Sequence, residues 1–286
     1  MHIGIGLPSH IAHTPGPLTA EWARRAEQRG FAELAAIDRL VYESLDSVVA
    51  MAVAAGATTD IGLMTNVVLA PLYPAAALSK QVATLADASG GRLTLGLGVG
   101  SRSDDYAAVG VDYRRRGRIL DETVAVLRDT CAGQTVTGDK PLTPAAVRIP
   151  ILFGGRADAT IRRAATIGDG WTAGALRDYA NQAALADRVR AAWTEAGRAE
   201  RPRLQASVNF AFGDAGTVAA GRAHLHRYYG FKPDYAALNA ADMLSSANEA
   251  ARTVRAYRDL GFDGLMFHPC VAEIDQIDRL AEAVLS

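Results

Sequence analysis

Eight times along the chain, a short apolar or β-branched run is followed by a glycine, proline or polar turn and then by a longer stretch at helical spacing. Parallel strands cannot be joined by a tight turn, so strand–helix alternation implies a parallel sheet with crossover helices. Eight such units point to a closed sheet. The expected fold is α/β: a single TIM-type (β/α)8 barrel over residues 1–286, with excursions at its C-terminal mouth. Strands are expected at 2–7, 32–38, 61–68, 92–99, 151–154, 170–173, 204–212 and 264–267, with a polar loop after the fourth. Two stretches lack periodicity, 133–150 and 230–243. Both are read as excursions near the mouth, the second as a lid.

The bulk composition narrows the function classes. Forty-nine per cent of 286 residues are apolar, ample for one large core. Thirty basic against 31 acidic side chains leave no electrostatic footprint for nucleic acid or an anionic membrane. Two cysteines, Cys131 and Cys270, do not make a disulfide scaffold, so a reducing compartment is expected. The opening MHIGIGLP has neither the basic segment nor the apolar run of a secretory signal, and the apolar stretch 48–57 is too short to span a bilayer. The expected location is the cytoplasm.

The run Gly96-Leu97-Gly98-Val99-Gly100 invites a dinucleotide-fold reading, but Ser101 and Ser103 stand where a third glycine would fall. A tightly packed barrel strand accounts for it better. A barrel keeps its chemistry at the C-terminal ends of its strands. There the chain places Ser9, His10, Asp38, Arg39, Asn66, Ser101, Arg102, Thr172, Asn209, His268 and Cys270. Gly154-Gly155-Arg156 precedes a helix whose first turn holds Asp158 and Thr160. Bare N–H groups at a helix start beside an arginine suit a phosphate, the plainer alternative being a βα turn capped by Asp158. His10 and His13 have no third ligand nearby, and His224 and His226 point to different helix faces, so no metal site is expected. Cys131 continues the apolar stripe of Leu120, Val124 and Leu127, and His268 reads equally as a proton donor or as a core histidine.

Four segments carry a resemblance: 85–100 (LADASGGRLTLGLGVG), 117–127 (GRILDETVAVL), 151–155 (ILFGG) and 164–174 (AATIGDGWTAG). In this order and spacing the chain resembles the luciferase-like family of FMN-dependent monooxygenases and coenzyme F420-dependent oxidoreductases. The resemblance implies a flavin or deazaflavin ring in the mouth, backed by a strand-three bulge with a non-prolyl cis peptide, here Asn66–Val67, and Val67 under the ring. It implies a cofactor phosphate at Gly154, Gly155, Arg156 and Thr160, with Gly100, Ser101 and Arg102 flanking the ring or its side chain. With Asp38 and Asn66 these make the expected cofactor set.

Departures restrict the activity. Where luciferase has a reactive-site histidine after strand two, this chain has Arg39, and its phosphate-binding arginine in strand four falls on Val99. The sugar-phosphate dehydrogenases of the deazaflavin branch carry that histidine and a glutamate after strand four; Arg39 and Ser101 stand here. Light emission and sugar-phosphate oxidation are therefore set aside. The acid–base group is sought among His10, Arg39, Asn209 and His268. The favoured reading is an FMN-dependent monooxygenase acting on a small organic substrate and fed by a separate reductase. The alternatives are a coenzyme F420-dependent hydride-transfer enzyme and a non-catalytic flavin-binding barrel. A homodimer is expected from the resemblance alone.

Overall fold

The structure, a computed structural model, describes every residue except 137, 144, 145 and 286. Eight parallel strands close into a barrel in sequence order: β1 (His2–Gly6), β2 (Glu33–Ala36), β3 (Gly62–Leu69), β4 (Leu93–Gly98), β5 (Ile151–Gly154), β6 (Gly170–Thr172), β7 (Arg203–Phe210) and β8 (Gly264–Pro269). The outer layer is α1 (Leu18–Gln28), α2 (Ser47–Ala57), α3 (Ala75–Ala88), α5 (Arg116–Cys131), α6 (Asp158–Ile167), α7 (Tyr179–Glu195), α10 (Ala247–Asp259) and α11 (Asp275–Val284). Three further helices break the regular alternation: α4 (Ser103–Ala108) after β4, then α8 (Ala215–Tyr228) and α9 (Pro233–Asp242) after β7. All three lie on strand-to-helix connections, at the C-terminal end of the barrel.

Two expectations are corrected here. The loop after β4 is not simply polar irregular chain, since α4 forms in it with Asp105 and Tyr106 buried. The segment 133–150, part of which lies outside the described residues, is not at the mouth. It joins a helix to the start of β5, a connection that must lie at the N-terminal end of a parallel barrel. Accordingly Leu142 accepts from Lys80 Nζ, and Arg148 stands with Arg201 and Arg203 over the barrel floor. The segment 230–243 does lie at the mouth, but most of it is α9. Among the described residues no helix is long and apolar enough to cross a membrane.

The two-residue period of β4 explains its glycine run. Leu93, Leu95 and Leu97 face the helix layer and join the main core, whereas Thr94, Gly96 and Gly98 face inward. Thr94 accepts from Arg203, which also pairs with Glu33, so a charged cluster plugs the barrel floor. Higher up, β3 bulges: Thr65 pairs with Leu95 and Val68 with Leu97, leaving one extra residue in β3. Val67 swings inward into the space left by the glycines. A Cβ on Gly98 would stand 2.7 Å from Val67, and one on Gly96 would meet the Thr65 carbonyl oxygen at 2.1 Å.

The bulge interrupts the ladder, and Thr65 repairs it with its side chain. Gly96 N–H donates to Thr65 Oγ1 at 2.9 Å, and that hydroxyl donates back to the Gly96 carbonyl at 2.9 Å. At the far end of the bulge, Leu69 N–H donates to buried Asp38. Thr65→Val keeps the shape but strands both backbone groups of Gly96, so it is expected to lose about 1–3 kcal/mol in urea unfolding. Thr65→Ser, which retains the hydroxyl, is expected to lose less than half of that.

Candidate active site

At the mouth, β3, β5, β6, β7 and β8 surround a cavity of about 190 Å³, roofed by Tyr229 and Tyr235 from the α8–α9 excursion. Asn66, Val67, Gly154, Gly155, Asn209 and His268, all anticipated from the sequence, line it together. The Asn66–Val67 peptide is cis, as the resemblance implied.

Asn66 ties four strands through one amide. Its Nδ2 donates to Ser207 Oγ at 2.8 Å and lies 3.3 Å from His268 Nε2, while its Oδ1 accepts from Thr172 Oγ1 at 3.1 Å. With the amide donating, His268 accepts at Nε2 and carries its proton on Nδ1, which has no partner. Burial, reinforced by nearby His10, pushes His268 down to about 3, so its ring stays neutral.

At the β5–α6 turn Gly155 has φ +126°, open to glycine but costly for any residue with a Cβ. Its missing side chain lets Thr160 sit beside the turn, 3.3 Å from where a Cβ would be. Residues 155–158 are exposed, and the N-cap Ala157 gives α6 no side-chain cap. Asp158 does not cap the helix as the plainer reading required; it pairs with Arg188. The first N–H groups of α6 are thus uncapped beside the exposed Arg156, and Gly154 and Gly155 share the cavity with Val67. These features fit a flavin-type cofactor: an open helix start for phosphate, and a glycine-cradled valine as a flat apolar support.

Several expected residues stand elsewhere. Asp38 does not reach the cavity. Its carboxylate accepts from Leu69 N–H, Ser47 Oγ and Tyr73 Oη, so it braces the bulge from behind, and burial raises its pKa. Arg39 faces the excursion rather than the cavity. Its guanidinium donates to the Tyr228 carbonyl at 2.7 Å and lies over the rings of Tyr42 and Tyr228. His10 is buried behind His268, with ring centroids 5.9 Å apart, and is pushed down to about 4 by burial. Arg102 pairs with Asp104 and Asp105 and lies over Phe231; neither it nor Gly100 nor Ser101 lines the cavity. Cys270 is not at the mouth surface but packs in a small apolar cluster with Ala211, Leu225 and Met243. Among the described residues there is no metal-binding cluster.

The residues that the sequence reading missed are Ile37, Ala173, Ala175, Ser207, Tyr229 and Tyr235. Ser207 alternates with Asn209 on the inward face of β7, a signal that period-two reading could have used. The tyrosines arrive through the path of the excursion, which no local pattern specifies. Asn209 Nδ2 donates to Asn239 of α9, and Arg177 grips Asp242 at the end of that helix through its backbone N–H and its guanidinium. The roof is therefore fastened both to the barrel wall and to the β6–α7 loop.

Comparisons with known proteins agree with this architecture. The monooxygenase RslO1 from Streptomyces bottropensis superimposes with a TM-score of 0.83 at 18% identity, over 100% of this chain and 99% of that one. An F420-dependent secondary alcohol dehydrogenase gives 0.81 at 19% identity, over 99% and 98%. An uncharacterised protein of Mycobacterium tuberculosis is 35% identical over 139 residues, 46% of this chain and 48% of the relative. The 5,10-methylenetetrahydromethanopterin reductase of Methanolobus tindarius is 29% identical over 159 residues, 53% of this chain and 48% of the relative. The chain thus spans about half the length of the curated relatives it matches. The sequence model of the luciferase-like monooxygenases matches residues 1–266, and with the bulged strand and the open β5–α6 turn already in place, the chain belongs to that family.

Proposed function

We propose that this protein is an FMN-dependent monooxygenase of a small organic substrate, supplied with reduced flavin by a separate reductase. The observation that carries this reading is that Gly154 and Gly155, which begin the open β5–α6 turn, line one cavity with the inward Val67. Gly154, Gly155, Arg156 and Thr160 would hold the phosphate, and Val67 would support the ring beside Asn66. One exposed guanidinium, Arg156, suits the single phosphate of FMN better than the several negative charges of an F420 tail. When bound, the flavin supplies the oxygen-activating redox chemistry. The chain's own part is to orient, through Asn66, Ser207 and neutral His268, and to exclude water with the tyrosine roof. A cavity of about 190 Å³ is small against the roughly 300–1,000 Å³ usual for ligand sites, so the α8–α9 roof must lift to admit ring and substrate together.

A coenzyme F420-dependent oxidoreductase is the second reading, favoured by the likeness to the F420-dependent alcohol dehydrogenase. A non-catalytic flavin-binding barrel is the third reading, which stable flavin binding without oxygen uptake or turnover would favour.

Parallel titrations with FMN and F420, oxidised and reduced, decide the cofactor. Tight binding of reduced FMN with oxygen uptake is expected; selective F420 binding would replace the first reading by the second. Gly155→Ala is expected to weaken cofactor binding at least about tenfold, a loss of about 1.4 kcal/mol, without unfolding the barrel.

The buried histidines give a pH signature. His10 and His268 titrate in the fold at about 4 and about 3, below the ordinary value near 6.5. The unfolded chain therefore takes up protons first. Their contribution is fully present above pH about 6.5 and is lost as pH falls toward the folded values. Denaturant midpoints are expected to drop through this window, and His268→Asn is expected to make the drop shallower.

A second copy of the chain is the proposed partner. Helix α2 has no charged residue; Val49, 63% exposed, and Val53 face solvent, with Leu40 and Val41 on the loop before it. A helix apolar on all sides wants cover, and a face that meets itself about a two-fold axis opposes no like charges if it carries none. Light scattering is expected to show a dimer that Val49→Lys converts to monomer.

A further inference from the structure

Among the described residues, none of those lining the mouth cavity carries a fixed charge. Four charged groups near it are committed to protein partners, and the exposed Arg156 of the β5–α6 turn stands outside the lining. Asp38 is spent on Leu69, Ser47 and Tyr73, and Arg39 on the Tyr228 carbonyl and two rings. Arg102 pairs with Asp104 and Asp105, and Asp242 with Arg177. A carboxylate or ammonium entering this cavity would lose its hydration and meet no counter-ion.

What β7 offers the cavity is a hydroxyl donor beside a free carbonyl acceptor. Ser207 Oγ already accepts from Asn66, which leaves its hydroxyl proton to donate. Asn209, two residues along the same face of β7, spends one amide N–H on Asn239 and keeps its carbonyl oxygen as an acceptor. Opposite these polar groups stand Ile37 and the Tyr229–Tyr235 pair, whose ring centroids are 5.0 Å apart in an edge arrangement.

We propose that the mouth selects an uncharged organic substrate bearing a hydroxyl or carbonyl group, read by Ser207 and Asn209, with its apolar body held against Ile37, Tyr229 and Tyr235. This rests on the redox reading above and narrows its substrate class. The selectivity comes from an unpaired charge being rejected more strongly than a matched polar group is attracted.

Ligand-observed NMR on the 286-residue chain tests this with three probes of one shape: benzyl alcohol, benzoate and benzylammonium. Benzyl alcohol is expected to bind, with both ions at least about tenfold weaker, a gap of about 1.4 kcal/mol. Ser207→Ala is expected to weaken the alcohol. Asn209→Asp is expected to raise benzylammonium to the level of the alcohol. Tyr235→Trp, which fills the space under the roof, is expected to abolish the alcohol signal while circular dichroism stays unchanged. Equal binding of either ion, failure of all three probes to bind the folded protein, or an alcohol signal untouched by Tyr235→Trp overturns the proposal. The cofactor titration reports separately: if it fails while the probe ranking holds, the flavin reading falls and the neutral site stands.

Discussion

Between Thr65 and Val68, β3 carries one residue more than the strand beside it, and the mouth of the barrel is arranged around that mismatch. An extra residue must go somewhere, and here Val67 goes inward. That is possible only because Gly96, Gly98 and Gly154 leave the room. The broken ladder is mended by the Thr65 hydroxyl, which serves both backbone groups of Gly96, and by Asp38, which takes the Leu69 N–H. Asn66, turned into the cavity by the same bulge, then collects Thr172, Ser207 and His268.

The second constraint is electrostatic. A buried polar group must be satisfied and a buried charge must be paired. This barrel meets the second demand by keeping unpaired charge out of its mouth. Its arginines and acids at the rim pair with one another or with backbone carbonyls. Its buried imidazoles shed their protons, because burial penalises the charged form, and His10 adds to that cost for His224 and His268. The neutral interior follows from the packing, and it makes a cofactor phosphate depend on the exposed β5–α6 turn, where water and Arg156 can share its charge.

The third element is the roof. Helices α8 and α9 are an insertion between β7 and the helix α10 that completes its unit. They leave from a strand's C-terminal end, and Tyr229 and Tyr235 show that their path crosses the mouth. Arg39, in the position where a histidine would be expected to reach the reacting centre, instead holds the end of α8. Its orientation is set by the aromatic rings of Tyr42 and Tyr228.

From the sequence alone the barrel, its eight strands and the identity of the β5–α6 turn were legible, because periodicity and turn chemistry are local and a glycine-rich turn before a helix needs no distant partner to be recognised. The inward face of β4 was half legible: the glycines pointed to close packing, but not to Val67 as the body they accommodate. Tertiary structure alone decided that Asp38 and Arg39 turn away from the cavity, that His10 lies behind His268, and that Arg148 and Pro150 stand at the floor. It also brought Ser207, Tyr229 and Tyr235 to the site. Those outcomes depend on which groups meet across strands and connections distant in sequence, where burial and hydrogen-bond satisfaction, rather than local pattern, choose the direction of a side chain.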